Sequence, residues 1–438
     1  MPEFTPQPTL LRAIGRWSLA ALMVNCIIGS GIFGLPSVIS GLVGNASPLA
    51  WLIAAAASGL VMACFAEVSS RFDQAGGVYL YSRTAFGRTT GIAVSWLGLV
   101  TRLAAIAASA NLFVIYLAGF WPAAAAPIPR IAVLTVLLGF LTVVNCRGVR
   151  SGTVLSNVFT AAKLITLGAF IIASLVFLAL RHQPLVIALP VGKPSTWLHA
   201  VLLLVFAYGG YETAVMPGGE AKNPRRDFPF ALFTGLAVCT VVYTLTQWVV
   251  ISVLPQSSAT ERPMAAAAQL MFGTWGNGIV SVGVLLSCYG YLSANILGFP
   301  RMLFALAEHG DLPAVIGKVH PKFRTPYVAI LILAGSSWIF SLVGSFQWNL
   351  TISAITRLIY YGAVCVALPV LRRQPDAPPA AFRLPWGNLI AALAVGTSLL
   401  LFRKPDKPGE WVLGILAVLV TANSLWAARR ARTQDAAN

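Results

Sequence analysis

The stretch VNCIIGSGIFGLP, Val24–Pro36, decides how this chain folds. It lies inside an apolar run long enough to cross a bilayer. Yet it sets Gly29, Ser30, Gly31 and Gly34 where a spanning helix needs its strongest residues. Glycine in a helix interior costs about 1 kcal/mol relative to alanine. In hydrocarbon the freed N–H and C=O groups have no water to bond instead. Either the glycines admit a second helix at close range, or the helix is broken there.

The surrounding composition sets the frame. Of 438 residues, 58% are hydrophobic and 10% charged, and the mean hydropathy is +0.79. Soluble domains carry about 25% charged residues, so the chain reads as an all-α polytopic membrane protein. Twelve transmembrane helices are expected near 17–43, 48–69, 89–118, 128–146, 154–180, 196–219, 228–254, 274–300, 325–344, 349–371, 386–402 and 409–428. The N-terminus carries no cleavage site before the first span. With that end in the cytoplasm, 20 of the 30 Lys and Arg fall on the inner side, 7 on the outer side and 3 within spans. This positive-inside bias places both termini in the cytoplasm. It also makes the net charge of +17 topological rather than a nucleic-acid footprint.

Six cysteines lie in or at the ends of spans without CxxC spacing, and they read as small buried hydrophobes. The four histidines are scattered, and no phosphate loop of the GxxxxGK[ST] kind occurs. No acid/base or metal cluster suggests an enzyme, a metal or a cofactor, and ATP-driven transport by this chain alone is not expected. Arg71–Gly91 has an amphipathic middle that predicts a short interfacial helix on the cytoplasmic side. The tail from Arg429 reads as a short basic stop.

A second interrupted span answers the first. FAYGGYETAVMPGGEAKNPRRDFP, Phe206–Pro229, carries Gly209 and Gly210 in mid-span, then Pro217, Gly218 and Gly219 near its inner end. The two breaks fall in spans 1 and 6. They correspond if 17–180 and 196–371 are two five-helix copies in opposite orientation, followed by two C-terminal helices at 386–428. Paired interrupted segments in matching halves point to a substrate site in a single transporter domain with a 5+5 inverted repeat. The alternative is a pair of close-packing surfaces, since small residues are common where membrane helices meet.

A broken first span would expose the N–H groups and positive dipole end of its second half, with Ser30 adding a hydroxyl. Gly29 and Gly31 would let a ligand approach that backbone, which suits a carboxylate. Carbonyls near Ile27 and from Phe206 to Gly209 would face the cavity as acceptors and suit an ammonium group. Together they describe a receptor for an α-amino acid.

Three segments then carry a resemblance: IIGSGIFGLP, FAYGGYE with EAKNPRRDFP, and FPRMLFALAEHGDLP with VHPKFRTPY. In order and spacing the chain resembles the amino acid–polyamine–organocation superfamily of permeases. The resemblance implies discontinuous helices 1 and 6, with substrate carboxylate at Ser30 and Gly31. It implies the α-amino group at the carbonyls of Ile27, Phe206 and Gly209, and Phe206 as an aromatic gate. Tyr208 and Gly210 complete the expected substrate-binding set. Tyr208, Tyr211, Tyr289 and Tyr291 could line a side-chain pocket or serve as packing.

Ionisable residues inside spans need partners. Lys163, in span 5, matches relatives whose lysine occupies a sodium position, which implies sodium-independent transport; it could cycle a proton or act as a fixed cation. Glu212 follows the second break and matches an acidic position that some family exchangers use as a proton or conformational sensor; it could equally be the structural partner of a nearby cation. Arg102 and Arg357 depart from the family pattern; an arginine in the cavity could neutralise Glu212 or receive an acidic side chain, and pairing with Glu212 is the favoured expectation. Glu67 should pair with a basic residue at the inner end of span 2. The resulting net positive interior disfavours cationic cargo and leaves neutral or acidic amino acids.

The expected function is a secondary active amino acid transporter in the cell inner membrane. It would work by alternating access, with proton-coupled uptake or exchange, as a monomer or homodimer. An exporter or an arginine/polyamine-type antiporter of the same fold is the near alternative. A channel or membrane scaffold is the distant one.

Overall fold

The computed structural model describes residues 15–72, 76–147, 152–182, 193–215, 221–254, 256–402 and 407–435, with side chains left aside at 152–158, 160, 408 and 431–435. Among them run sixteen α-helices: α1 (Arg16–Ile27), α2 (Gly31–Val43), α3 (Ser47–Ser69), α4 (Gly77–Phe86), α5 (Arg88–Leu117), α6 (Pro127–Cys146), α7 (Gly152–Leu180) and α8 (Pro194–Tyr208). They continue with α9 (Tyr211–Ala214), α10 (Pro224–Val253), α11 (Pro263–Gly298), α12 (Pro300–Glu308), α13 (Tyr327–Val343), α14 (Phe346–Arg373), α15 (Gly387–Leu401) and α16 (Lys407–Asp435). Eight helical segments are long and apolar enough to cross a membrane, and three shorter apolar helices accompany them.

Both glycine-rich stretches are interruptions. The chain leaves the helix at Ile28 (φ −71°, ψ 88°) and re-enters it at Gly31, dividing the expected first span into α1 and α2. It leaves again at Gly209 (φ −82°, ψ 171°), and Gly210 sits at φ +113° before the single turn of α9. That φ favours glycine, and crowding requires one as well: a Cβ on Gly210 would overlap the Cys26 carbonyl oxygen. The two breaks therefore touch. Pro217, Gly218 and Gly219, expected to interrupt the same span further on, lie outside the described residues.

Other expectations shift in detail. Span 8 begins earlier than 274, because α11 starts at Pro263 and bends at Gly273 (φ +64°). The amphipathic stretch forms α4. It buries Val78, Tyr79 and Tyr81 against the bundle, packing on α5 and α14. The basic tail is the last part of α16, which continues helically to Asp435.

One face of the bundle is closed by ion pairs. Glu67 is fully buried at the end of α3 and receives Arg372, Arg71 and the Leu384 N–H. Asp311, also buried, receives Arg88, Arg83 and the Tyr79 hydroxyl at 2.6 Å, and its carbonyl accepts Asn423 of α16. Burial and the hydrogen bond to Asp311 push the Tyr79 phenol up to about 12, so it remains a donor at neutral pH. Arg225 reaches the carbonyls of Ser70 and Pro379. On the opposite, far face a cavity of about 830 Å³ opens between α2, α5 and α14, with Asn111, Arg130 and Arg262 on its wall. Phe346 also lines it, with a ring so close to Gly34 that a Cβ there would come within 2.7 Å of it.

Removing Glu67 would leave two guanidiniums without their counter-charge. Glu67→Ala is expected to cost about 3–5 kcal/mol, the range for breaking a buried ion pair from one side. Arg83→Ala, at a side chain 36% exposed, should cost about 1 kcal/mol or less. Thermal unfolding of the purified protein in detergent checks this; equal melting temperatures for the two variants would contradict it.

Candidate functional site

A helix that stops inside an apolar bundle leaves its last carbonyls without intrahelical donors. Here side chains from other helices supply them. Lys163 of α7 donates to the Ile28 carbonyl at 2.8 Å and the Asn25 carbonyl at 3.2 Å. The Tyr243 hydroxyl of α10 lies 3.0 Å from the Ile27 carbonyl and 3.1 Å from the Ala207 carbonyl, so its one proton bridges the two breaks. The Phe206 carbonyl accepts the Gly209 N–H and Arg357 Nη1, each at 3.2 Å. Lys163 is 1% exposed and sits on the negative end of α1.

Beyond the first break, the leading N–H groups of α2 point back toward the gap. Ser30 caps the turn through its carbonyl, which accepts the Phe33 N–H at 3.1 Å. Its hydroxyl accepts Ser109 of α5 at 2.8 Å. Gly29 lies against the Tyr291 ring, 3.1 Å from where a Cβ would be. Gly31 lies against α8: its Cβ position is 3.0 Å from the Ala207 Cβ and 3.4 Å from the Phe206 ring. Gly29, Ser30, Gly31, Phe206, Gly209 and Gly210 thus come together at one place.

Glu212 anchors the charges. Its Oε1 accepts Arg102 Nη2 at 2.9 Å, and its Oε2 accepts the Tyr361 hydroxyl at 2.6 Å and the Gly210 N–H at 2.8 Å. The last bond caps the start of α9 with a carboxylate, a favourable placement at a helix N-terminus. Arg102 is held further by Thr213, Asn295 and Tyr291, with its guanidinium over the Phe299 ring. Arg357 stands 3.8 Å from Glu212 Oε1, between the rings of Phe206 and Tyr361. It fills the hollow beside Gly209 so closely that any Cβ there would overlap the guanidinium.

Three expected residues differ in their surroundings. Tyr208 turns away from the gap: its hydroxyl donates to the Trp51 carbonyl and its ring packs on Trp51 and Tyr243. The Ile27 and Phe206 carbonyls, expected to await an ammonium group, already accept Tyr243 and Arg357. Sequence reasoning missed Tyr243, Tyr361, Thr213 and Asn295. Tyr361 stands one helical turn after Arg357, and Asn295 one turn after Tyr291. That spacing places each pair on one helix face, and it was the available signal. Tyr243, in the apolar run VVYTLTQ, gives none.

With the geometry in place, similarity to known proteins can be set beside it. The chain is 28% identical over 409 residues to the serine/threonine exchanger SteT of Bacillus subtilis, covering 89% of this chain and 90% of that protein. It is 27% identical to the methylthioribose transporter of the same organism, covering 89% and 88%. To the branched-chain amino acid permease BcaP it is 25% identical, covering 89% and 87%. Residues 14–428 match the family model described as Amino acid permease. With eight helical segments able to span a bilayer and that match over nearly its whole length, the chain is a multi-pass membrane protein and belongs to the amino acid permease family.

Proposed function

We propose that this chain is a sodium-independent secondary transporter of a neutral or acidic L-amino acid, using the two helix breaks as its binding site. The observation that carries the reading is the contact of the breaks. The N-terminus of α2, the Phe206 ring and the end of α8 meet at a point where glycine leaves the backbone bare. A substrate carboxylate would bond the leading N–H groups of α2 with Ser30 and Gly31. Its ammonium group would compete for the carbonyls of Ile27, Phe206 and Gly209. Family membership supports an amino acid as cargo, and so do relatives whose names specify serine/threonine exchange and branched-chain amino acid transport.

The same reading assigns twelve spans, a 5+5 inverted repeat (17–180 and 196–371) and two further helices within one domain of residues 1–438. It puts both termini in the cytoplasm of a cell whose inner membrane holds the protein, as a monomer or homodimer. The far-face cavity is then the outer vestibule, separated from the site by Phe346 against Gly34. Phe206 is a second, inner gate, and alternating access exchanges these contacts for the ion pairs around Glu67 and Asp311. Lys163 or Glu212 carries the coupling proton in a symport mode, and neither titrates in a pure exchange mode.

Uptake and counterflow of radiolabelled amino acids in proteoliposomes, with and without sodium, test the function. Saturable uptake unchanged by sodium is expected. Its absence for all twenty amino acids would contradict the reading. Gly31→Val, whose side chain would meet Ala207 and Phe206, should abolish saturable binding in protein that remains monodisperse in detergent. Unchanged affinity in that variant would remove the carboxylate assignment. Lys163→Ala takes away a charge-assisted bond to the α1 carbonyls, worth about 1.5–3 kcal/mol. It should lower uptake by about tenfold or more on that scale; wild-type rates would show that the lysine has no part in transport.

A further inference from the structure

Glu212 makes no hydrogen bond to Arg357. Its Oε1 accepts Arg102, and its Oε2 accepts Tyr361 and the Gly210 N–H. Arg357 Nη2 remains 3.8 Å away, beyond hydrogen-bond reach. A guanidinium has five N–H donors. Among the described residues, that of Arg357 makes one hydrogen bond, to the neutral Phe206 carbonyl at 3.2 Å, and its Nε has no partner. The side chain is 1% exposed. Glu212 is the only acidic side chain among the described residues within ion-pair range of either arginine. Two guanidiniums share one carboxylate, and Lys163 adds a third cation on the other side of the breaks.

We propose that Arg357 receives a second carboxylate brought by the substrate, so that the preferred cargo is an acidic amino acid. This rests on the amino acid reading above and narrows it. The Phe206 ring touches both ends of such a molecule's path. One edge lies 3.4 Å from the Cβ position of Gly31, and its centroid lies 5.8 Å from the Arg357 guanidinium carbon. An α-ammonium group settling on the Phe206 carbonyl takes the one acceptor that Arg357 has. With a neutral amino acid, ammonium and guanidinium would then face each other with only Glu212, already bonded to Arg102, as counter-charge at 3.8 Å. With an acidic one, the side-chain carboxylate meets the freed guanidinium, whose planar fork suits two parallel bonds. The unused donors of Arg357 are the vacancy that this carboxylate fills.

The test is competition for uptake in proteoliposomes, with L-glutamate, L-aspartate, L-glutamine, L-asparagine, L-serine and succinate as competitors. Glutamate or aspartate should compete at least about tenfold better than its own amide, the scale of one charge-assisted hydrogen bond. Arg357→Gln should erase or reverse that ratio while Arg357→Lys keeps its direction. Where Arg357→Gln does not fold, the wild-type acid-to-amide ratio decides alone. Equal competition by acid and amide overturns the inference and leaves amino acid transport standing. So does an acid preference that persists in folded Arg357→Gln. Succinate competing as well as glutamate, with serine inert, supports the carboxylate receptor and contradicts the amino acid reading.

Discussion

The structure depends on satisfying peptide groups where two helices are cut inside an apolar bundle. An unmade backbone hydrogen bond in such a medium costs several kcal/mol. The end of α1 is answered by Lys163 and Tyr243, and the end of α8 by Tyr243 and Arg357. The start of α9 is answered by Glu212. These donors and acceptors come from α7, α9, α10 and α14, so the breaks are held open by the surrounding scaffold. They are also held to each other, because Gly210 packs against the Cys26 carbonyl and Tyr243 spans both ends.

That arrangement brings charge to the centre. Lys163, Arg102 and Arg357 are each 2% exposed or less, and Glu212 is the carboxylate placed among the arginines. Arg102 is bound on several sides and reads as structural, fixing Glu212 and α9 relative to α5 and α11. Arg357 is the opposite case, with one neutral hydrogen-bond acceptor and Glu212 only at 3.8 Å. A transporter must bind its cargo and release it, so a donor that is saturated only when cargo is present has a use that a fully paired one lacks. On the reading proposed above, the wide cavity on one face is the open side of the site and the ion pairs on the other its closed side.

Much of this was legible in the sequence where backbone chemistry is extreme. Gly29–Ser30–Gly31 and Gly209–Gly210 stand out because such residues weaken a spanning helix unless it is broken or closely packed there, and both are breaks. Lys163, Arg102, Glu212 and Arg357 stand out because an ionisable residue in a span must have a partner. Their pairing was less legible. An arginine announces a need for acceptors, but the sequence does not say that Glu212 would serve Arg102 first. Tyr243 was invisible, since an aromatic in an apolar helix looks the same whether it packs or bridges two carbonyls. Tyr208 was misplaced for the related reason that its neighbours in sequence line the break while its own side chain points to α3. The early start of α11 and the burial of α4 follow from tertiary packing, which local hydropathy does not encode.

The most direct measurement of the central claim is an experimental density map of the protein with L-glutamate bound. The account predicts density between the first N–H groups of α2 and the Arg357 guanidinium, in contact with the Phe206 ring, while both helices remain interrupted. Ligand density confined to the far-face vestibule, or continuous helices through Gly29–Gly31 and Gly209–Gly210, would contradict it.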